Sequence, residues 1–253
     1  MGNRRVIAAS NAEQLSTLAG NILIDVTKKA VQNRGRAVIL VSGGTSIWRS
    51  YEAFGKSTDV DWTKVFVFWG DDRFVEPENP YSNYGQVRDA LLSHAKDLPK
   101  ENVFPINSSA STPTQCAEEY SRTIKEFFDL ADGQWPVFDL AQNGMGPDGH
   151  TASIFPHSPA VHVDDRIAVM NHASLKPWVD RITLTFPVFN HARTVLFITS
   201  GAAKATTLKE VLEGSPNPDE RPAAHINPIN GQVLWLIDES AASELTIPLE
   251  TDY

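Results

Sequence analysis

Three glycines and a proline fall between Gly144 and Gly149, and the run closes on Asp148-Gly149-His150. An imidazole and a carboxylate two residues apart on a tight turn are suited to moving a proton. Glycine-rich backbone beside them lets N–H groups come close to an oxygen that gains charge. Acyl transfer or isomerisation needs both. His150 is the candidate base, Asp148 its orienting partner or only a cap of the turn, and Gly146 a backbone contact. The spacing Gly144-x-Gly146-x-x-Gly149 also matches the dinucleotide fingerprint, which works only where the loop opens a long crossover helix. Pro156 and Pro159 leave room for about two helical turns, so NAD(H) binding is not expected. A turn-rich loop with a solvent-exposed histidine would have the same composition. The coincidence of three glycines with Asp148 and His150 favours the chemical reading.

Other stretches could receive an anion. Ser42-Gly43-Gly44-Thr45-Ser46 follows an apolar run and precedes a helical pattern, the arrangement that turns backbone N–H groups and a helix dipole towards a phosphate. It lacks the Gly-Lys-Ser/Thr ending of a nucleotide P-loop, so a sugar phosphate or simple phosphate suits it better than a triphosphate. An ordinary capped turn fits it equally well. Asp71-Asp72-Arg73 lies at the end of a second apolar run, where an arginine can hold a phosphate through two N–H groups; a surface Asp–Arg pair is the plainer alternative. Lys204 lies in the first turn of a helix, where a cation opposes the helix dipole and an anionic partner would compensate.

The elements that must carry these residues can be read from periodicity. A capping box at Ser10-Asn11-Ala12-Glu13 starts a helix with apolar residues at Leu15, Leu18, Ile22 and Val26, and Gly35 stops it. Continuous apolar runs at 37–41, 65–69, 194–199 and 231–237 predict strands buried on both faces. Residues 138–144 lead into the glycine loop as another strand. Shorter strands are expected at 102–106 and 166–170, and an alternating strand at 181–186 with one face buried. Helices are expected at 48–54, 83–95, 112–130, after Pro187, after Gly201, and at 239–245. The Pro- and Asn-rich stretch 215–230 reads as the most mobile loop. Strands alternating with helices predict an α/β fold with a parallel sheet, and no linker divides residues 1–253.

Bulk properties exclude several classes. A chain of 253 residues, 42% hydrophobic and 21% charged, can bury a full core. The net charge of −9 does not attract nucleic acid. The single Cys116 allows no intrachain disulfide and no thiolate metal site, which fits a reducing cytoplasm. Met1-Gly-Asn-Arg-Arg-Val lacks the apolar stretch of a secretory signal, and no apolar run could span a bilayer. No His/Asp/Glu cluster has metal-ligand spacing, and no metal or other cofactor is expected.

Taken together and in order, Ser42 to Ser46, Asp71-Asp72-Arg73 with Ser82-Asn83, Gly144 to Pro156, Arg181 to Thr185, Gly201 to Lys204 and Asn230 to Asp238 resemble the motifs of the 6-phosphogluconolactonases. The resemblance covers roughly residues 10 to 245. It implies an α/β fold: a Rossmann-like, mostly parallel sheet with flanking helices and a smaller subdomain, shared with glucosamine-6-phosphate deaminase. It implies hydrolysis of a phosphorylated sugar lactone in the pentose phosphate pathway. In that reading His150 takes a proton from water, and donors around Gly146 to Thr151 face the oxyanion. Gly43, Gly44, Thr45, Ser46, Asp72, Arg73, Asn83, Arg181 and Lys204 hold the phosphorylated substrate. The expected partners are that small molecule alone, without nucleic acid or membrane, in a monomer or small homo-oligomer. The sequence departs from the family pattern at Ile47, where proline is usual, and at Gln142-Asn143, where the residues are usually apolar. Two other readings remain at this point. A deaminase-like isomerase would carry a catalytic glutamate five residues after the histidine, where this chain has Phe155. A non-catalytic sugar-phosphate-binding regulator could use the same pocket.

Overall fold

The computed structural model describes residues 3–44, 47–110 and 112–253. Its strands are β1 (Asn3–Ala9), β2 (Ala37–Val41), β3 (Val65–Trp69), β4 (Asp71–Arg73), β5 (Val103–Phe104), β6 (Leu140–Gly144), β7 (Ala168–Asn171), β8 (Arg181–Leu184), β9 (Thr194–Thr199) and β10 (Gln232–Asp238). Its α-helices are α1 (Ala12–Arg34), α2 (Trp48–Gly55), α3 (Asn83–Val87), α4 (Pro113–Phe128), α5 (Phe186–Asn190), α6 (Ala205–Glu213) and α7 (Glu239–Ala242).

Seven strands form one sheet in the order β1-β10-β9-β6-β2-β3-β5, and every pairing in it is parallel. The strands that read as continuous apolar runs are its centre: β2 and β9 are buried along their whole length. Helices α1, α2 and α4 cover the sheet, and the buried apolar side chains make one cluster from Val6 to Ala241. Successive strands move outward from β2 through β3 to β5, and the chain then returns to the other side of β2 with β6. The β2–β6 boundary is therefore a topological switch point, where ligands sit outside the carboxyl ends of the strands. The smaller element implied by the resemblance is an antiparallel sheet, β4-β8-β7.

Several expectations shift. The amino-terminal strand β1 was not legible, because its first residues, Asn3-Arg4-Arg5, are polar and partly exposed on the sheet's edge side. The α1 cap is Asn11, whose Oδ1 accepts from the N–H groups of Glu13 and Gln14, while Gln14 rather than Glu13 reaches back, to the N–H of Ser10. Strand β8 is buried on both faces, not one, because it is the central strand of the small sheet and α4 packs beside it. The helix expected over 83–95 is α-helical only to Val87 and continues as π-helical turns over Arg88–Leu92. The closing helix stops at Ala242. The stretch 215–230 is tied down: Ala223 N–H donates to Gly149 O, Ile229 N–H to Asn190 O, and Asp219 O accepts from His157 N–H.

Candidate active site

Strands β2 and β6 end side by side at the switch point, and both glycine stretches lie just beyond them. Gly43, Gly44, Arg73, Asn83, Gly146, His150 and Lys204 line one cleft with a volume of about 210 Å³. Thr45 and Ser46 lie outside the described residues. Behind the first loop, the buried Tyr51 hydroxyl accepts from Ser42 N–H at 3.0 Å and meets Gln142 Oε1 at 2.7 Å. Ser42 Oγ donates to the same Gln142 oxygen at 2.6 Å. Gln142 thus serves as an acceptor at the cleft floor. A Cβ on Gly43 would lie 1.9 Å from Asn83 Oδ1, so the loop and Asn83 can approach this closely only because residue 43 is glycine. The N–H groups of Gly43 and Gly44 donate to no described residue.

The second stretch forms a closed turn. Gly146 N–H donates to His150 O at 2.9 Å and Gly149 N–H to Gly146 O at 3.0 Å, with Gly149 at φ 85°. His150 Nδ1 lies 2.5 Å from Asp148 Oδ1, which also accepts the His150 backbone N–H at 3.2 Å. A carboxylate only accepts, so Nδ1 carries the proton and Nε2 is the ring nitrogen with a free lone pair. Burial works to raise the Asp148 carboxyl, but the hydrogen bond and charge of His150 outweigh it and hold it below the ordinary aspartate range. A Cβ on Gly146 would lie 2.1 Å from His150 Cε1, so this glycine is the floor on which the ring rests. Phe155 packs against the other side of the ring, with centroids 4.9 Å apart. Part of the expected row of oxyanion donors is used within the turn itself. The N–H groups of Gly146, Gly149 and His150 are used inside the turn, and Pro147 has none.

The small sheet supplies the cations. Arg73 and Arg181 are direct partners in the β4–β8 ladder and share one face. Arg73 donates to Asn83 Oδ1 at 2.6 Å and to Tyr81 O at 2.7 Å, and Arg181 to Pro177 O at 3.1 Å. Among the described residues, the Nε of each arginine is buried without a partner. Burial, followed by the like charge of Arg73, pushes the Arg181 guanidinium down to about 10, against a smaller opposing pull from Asp71 and Asp72. Arg73 lines the cleft and Arg181, its ladder partner, does not; two adjacent, partly unsatisfied guanidiniums are an arrangement that an anion would relieve. Lys204 Nζ completes the basic wall; burial lowers it, and Asp238 opposes the shift.

Asp72 does not line the cleft. Its carboxylate accepts N–H groups from Arg73, Asn83 and Tyr84 at 2.7, 2.6 and 2.8 Å, so it caps α3 and positions Arg73 and Asn83 rather than touching a ligand. Asp71, part of the same triplet but not among the expected ligand contacts, does line the cleft; it accepts from Ser153 Oγ at 2.6 Å and from Asn83 Nδ2 at 3.3 Å. Strand alternation was the available signal: residues 71 and 73 share a face and residue 72 takes the other.

A parallel sheet with its cleft at a switch point, a His–Asp turn and a basic wall define an α/β protein built to act on a small anionic ligand. The family model of glucosamine-6-phosphate isomerases/6-phosphogluconolactonase matches residues 10–235, and the chain belongs to this family. It is 39% identical over 217 residues to the 6-phosphogluconolactonase of Synechocystis, covering 86% of this chain and 88% of that one. It is also 39% identical over 197 residues to the human 6-phosphogluconolactonase, covering 78% and 73%. Among solved structures, 6-phosphogluconolactonase from Trypanosoma cruzi superposes with a TM-score of 0.85 at 26% identity, covering 98% of this chain and 99% of that one.

Proposed function

We propose that this protein hydrolyses the ring ester of 6-phospho-D-glucono-1,5-lactone to 6-phosphogluconate. The observation that carries the reading is the His150–Asp148 pair in the same cleft as Arg73 and Lys204, with Arg181 beside Arg73 in the β4–β8 ladder. Arg73, Arg181 and Lys204, with the N–H groups of Gly43 and Gly44, bind the phosphate. Nε2 of His150 takes a proton from water as the water oxygen attacks the lactone carbonyl. The C1–ring oxygen bond then breaks, and the imidazolium returns its proton to the departing ring oxygen. Asp148 keeps the ring in the required tautomer and stabilises the imidazolium. A deaminase would need a proton-transfer group where Phe155 packs on the imidazole, and phenylalanine supplies none. The enzyme works as one domain, without metal or other cofactor, in the cytoplasm, as a monomer or small homo-oligomer. Among the described residues, no helix is long and apolar enough to cross a membrane.

The test is an assay of purified protein on the lactone, with the uncatalysed rate subtracted, beside an assay for ammonia release from glucosamine 6-phosphate. Acceleration of the first alone is expected. Ammonia release, or binding of the lactone without turnover, would overturn the reading.

A further inference from the structure

The His150 turn is held from outside as well as from within. Pro147 O accepts from Thr207 Oγ1 at 2.7 Å. Asp148 O accepts a long hydrogen bond from Arg221 Nη1 at 3.5 Å. Gly149 O accepts from Ala223 N–H at 2.9 Å. Three consecutive carbonyls of the turn are thus gripped by one stretch of chain, far from it in sequence. Thr207 is buried, at 8% exposure, on the face of α6 that meets the turn. Glu210, one helical turn further on, fixes the Arg221 guanidinium through Nε at 2.6 Å. The Arg221 stem lies across Gly149, where a Cβ would approach Arg221 Cδ to 2.6 Å. The same stretch begins at Lys204, which lines the cleft.

We propose that Thr207 and Arg221 are positioning residues, which clamp the turn and so set the His150 ring relative to the Lys204 side of the cleft. The proposal rests on His150 being the base. A peptide carbonyl that loses its donor lets the turn rotate, and Asp148 rotates with it, carrying the imidazole. A small displacement of a base is costly, because proton transfer needs Nε2 within hydrogen-bond reach of the water. The phosphate contacts are made by other residues, so binding is spared. The two grips differ in strength. The Thr207 hydroxyl makes a short bond from a buried position, whereas the Arg221 bond is near the limit of hydrogen-bond length.

The experiment compares Thr207→Val, which keeps the side chain's shape without its hydroxyl, with Thr207→Ser, which keeps the hydroxyl. Each is assayed for kcat, KM and Tm, alone and in a His150→Gln background. Thr207→Val should lower kcat about tenfold with KM little changed, short of the ~10²-fold that a 1 Å misplacement can cost. Thr207→Ser should restore kcat. In the His150→Gln background Thr207→Val should change kcat by less than about twofold, because the residue it acts through is already gone. Arg221→Met, which keeps the stem over Gly149, should lower kcat by a smaller factor. An equal loss in both backgrounds, a kcat loss that only follows Tm, or an unchanged kcat in Thr207→Val would overturn the clamp. If His150→Gln itself keeps wild-type kcat, the base assignment falls first. If His150→Gln loses kcat and Thr207→Val does not, the clamp alone falls.

Discussion

At the His150 end of the cleft, every carbonyl from Gly146 to His150 has a donor. Around Arg73 and Arg181 the imbalance runs the other way, with two guanidiniums adjacent in the β4–β8 ladder and, among the described residues, no acceptor for either buried Nε. A group that must hand over a proton in a fixed direction gains from a scaffold completed before the ligand arrives. A site for a phosphate gains from donors left open, because the ligand's oxygens then supply what the fold withholds. The contrast assigns the two ends different kinetic signatures. Damage at the first should appear in kcat, and damage at the second in KM.

The largest expected effect is at the first end. His150→Gln keeps a polar side chain of similar reach but cannot take up the proton, and a general base contributes typically about 10²–10⁴-fold. kcat should fall within that range with KM nearly constant and the fold retained by circular dichroism. A loss of KM in step with kcat would mean that this end also binds the ligand, and the contrast would fail.

Next in size is Arg73→Ala. A hydrogen bond to a charged group is worth about 1.5–3 kcal/mol, or roughly a 10- to 100-fold rise in KM. The same variant assayed on an unphosphorylated sugar lactone should behave like wild type. Inorganic phosphate should raise the wild-type Tm by more than that of Arg73→Ala at the same concentration. Equal damage on both lactones would make Arg73 a structural residue.

How much of this was legible in the sequence follows from burial. Strands β2, β3 and β9 could be read to the residue, because a strand covered on both faces needs an unbroken apolar run. The edge strand β1 could not, because its outer side pairs only at a single bridge, Ile7 with Glu250, and its first residues are polar. Strand β4 consists of Asp71-Asp72-Arg73, with no apolar period at all; only its place after β3 marked it. The cleft itself was legible, since glycine loops at strand ends are local features. The exchange of roles between Asp71 and Asp72 was legible only through strand alternation, and a three-residue strand with no apolar period hides that signal. The grip of Thr207 and Arg221 on the turn carries no sequence signal, since backbone carbonyls have no residue type.

Two glycines sharpen the comparison with smaller effects. A Cβ at residue 146 would meet the His150 ring, and a Cβ at residue 43 would meet Asn83, which holds Arg73. Gly146→Ala should therefore lower kcat and Gly43→Ala should raise KM, each by about tenfold, well inside the ~10²-fold of a 1 Å displacement. The assays are the same steady-state measurements on the two variants. If the two glycines gave the same signature, the ends would be mechanically one unit.

The smallest expected effect concerns stability rather than rate. Asp72 supports the arginine end from within, and its burial pushes the carboxyl up to about 7, against the three N–H groups it accepts and with a further push from Asp71. An unfolded aspartate titrates near 3.9. Between roughly pH 4 and 7 the folded chain therefore keeps a proton that the unfolded chain has lost, and stability falls as pH rises through that window. Above pH 7 both states are ionised and the dependence on this group ends. Below pH 4 both are protonated and it ends again. Wild-type Tm should thus decline between pH 5 and pH 7 by roughly 4–8 °C, the shift that about 2 kcal/mol gives in a chain of this size. Asp72→Asn cannot ionise and should lack that decline, starting from a lower Tm because its amide nitrogen faces one of the three backbone donors. Thermal melts at matched ionic strength across pH 5–8 make the comparison. A wild-type Tm that rose through the window would show that the three N–H groups outweigh burial, and that Asp72 is a carboxylate fixed in its charged form, supporting Arg73 at every pH at which the enzyme works.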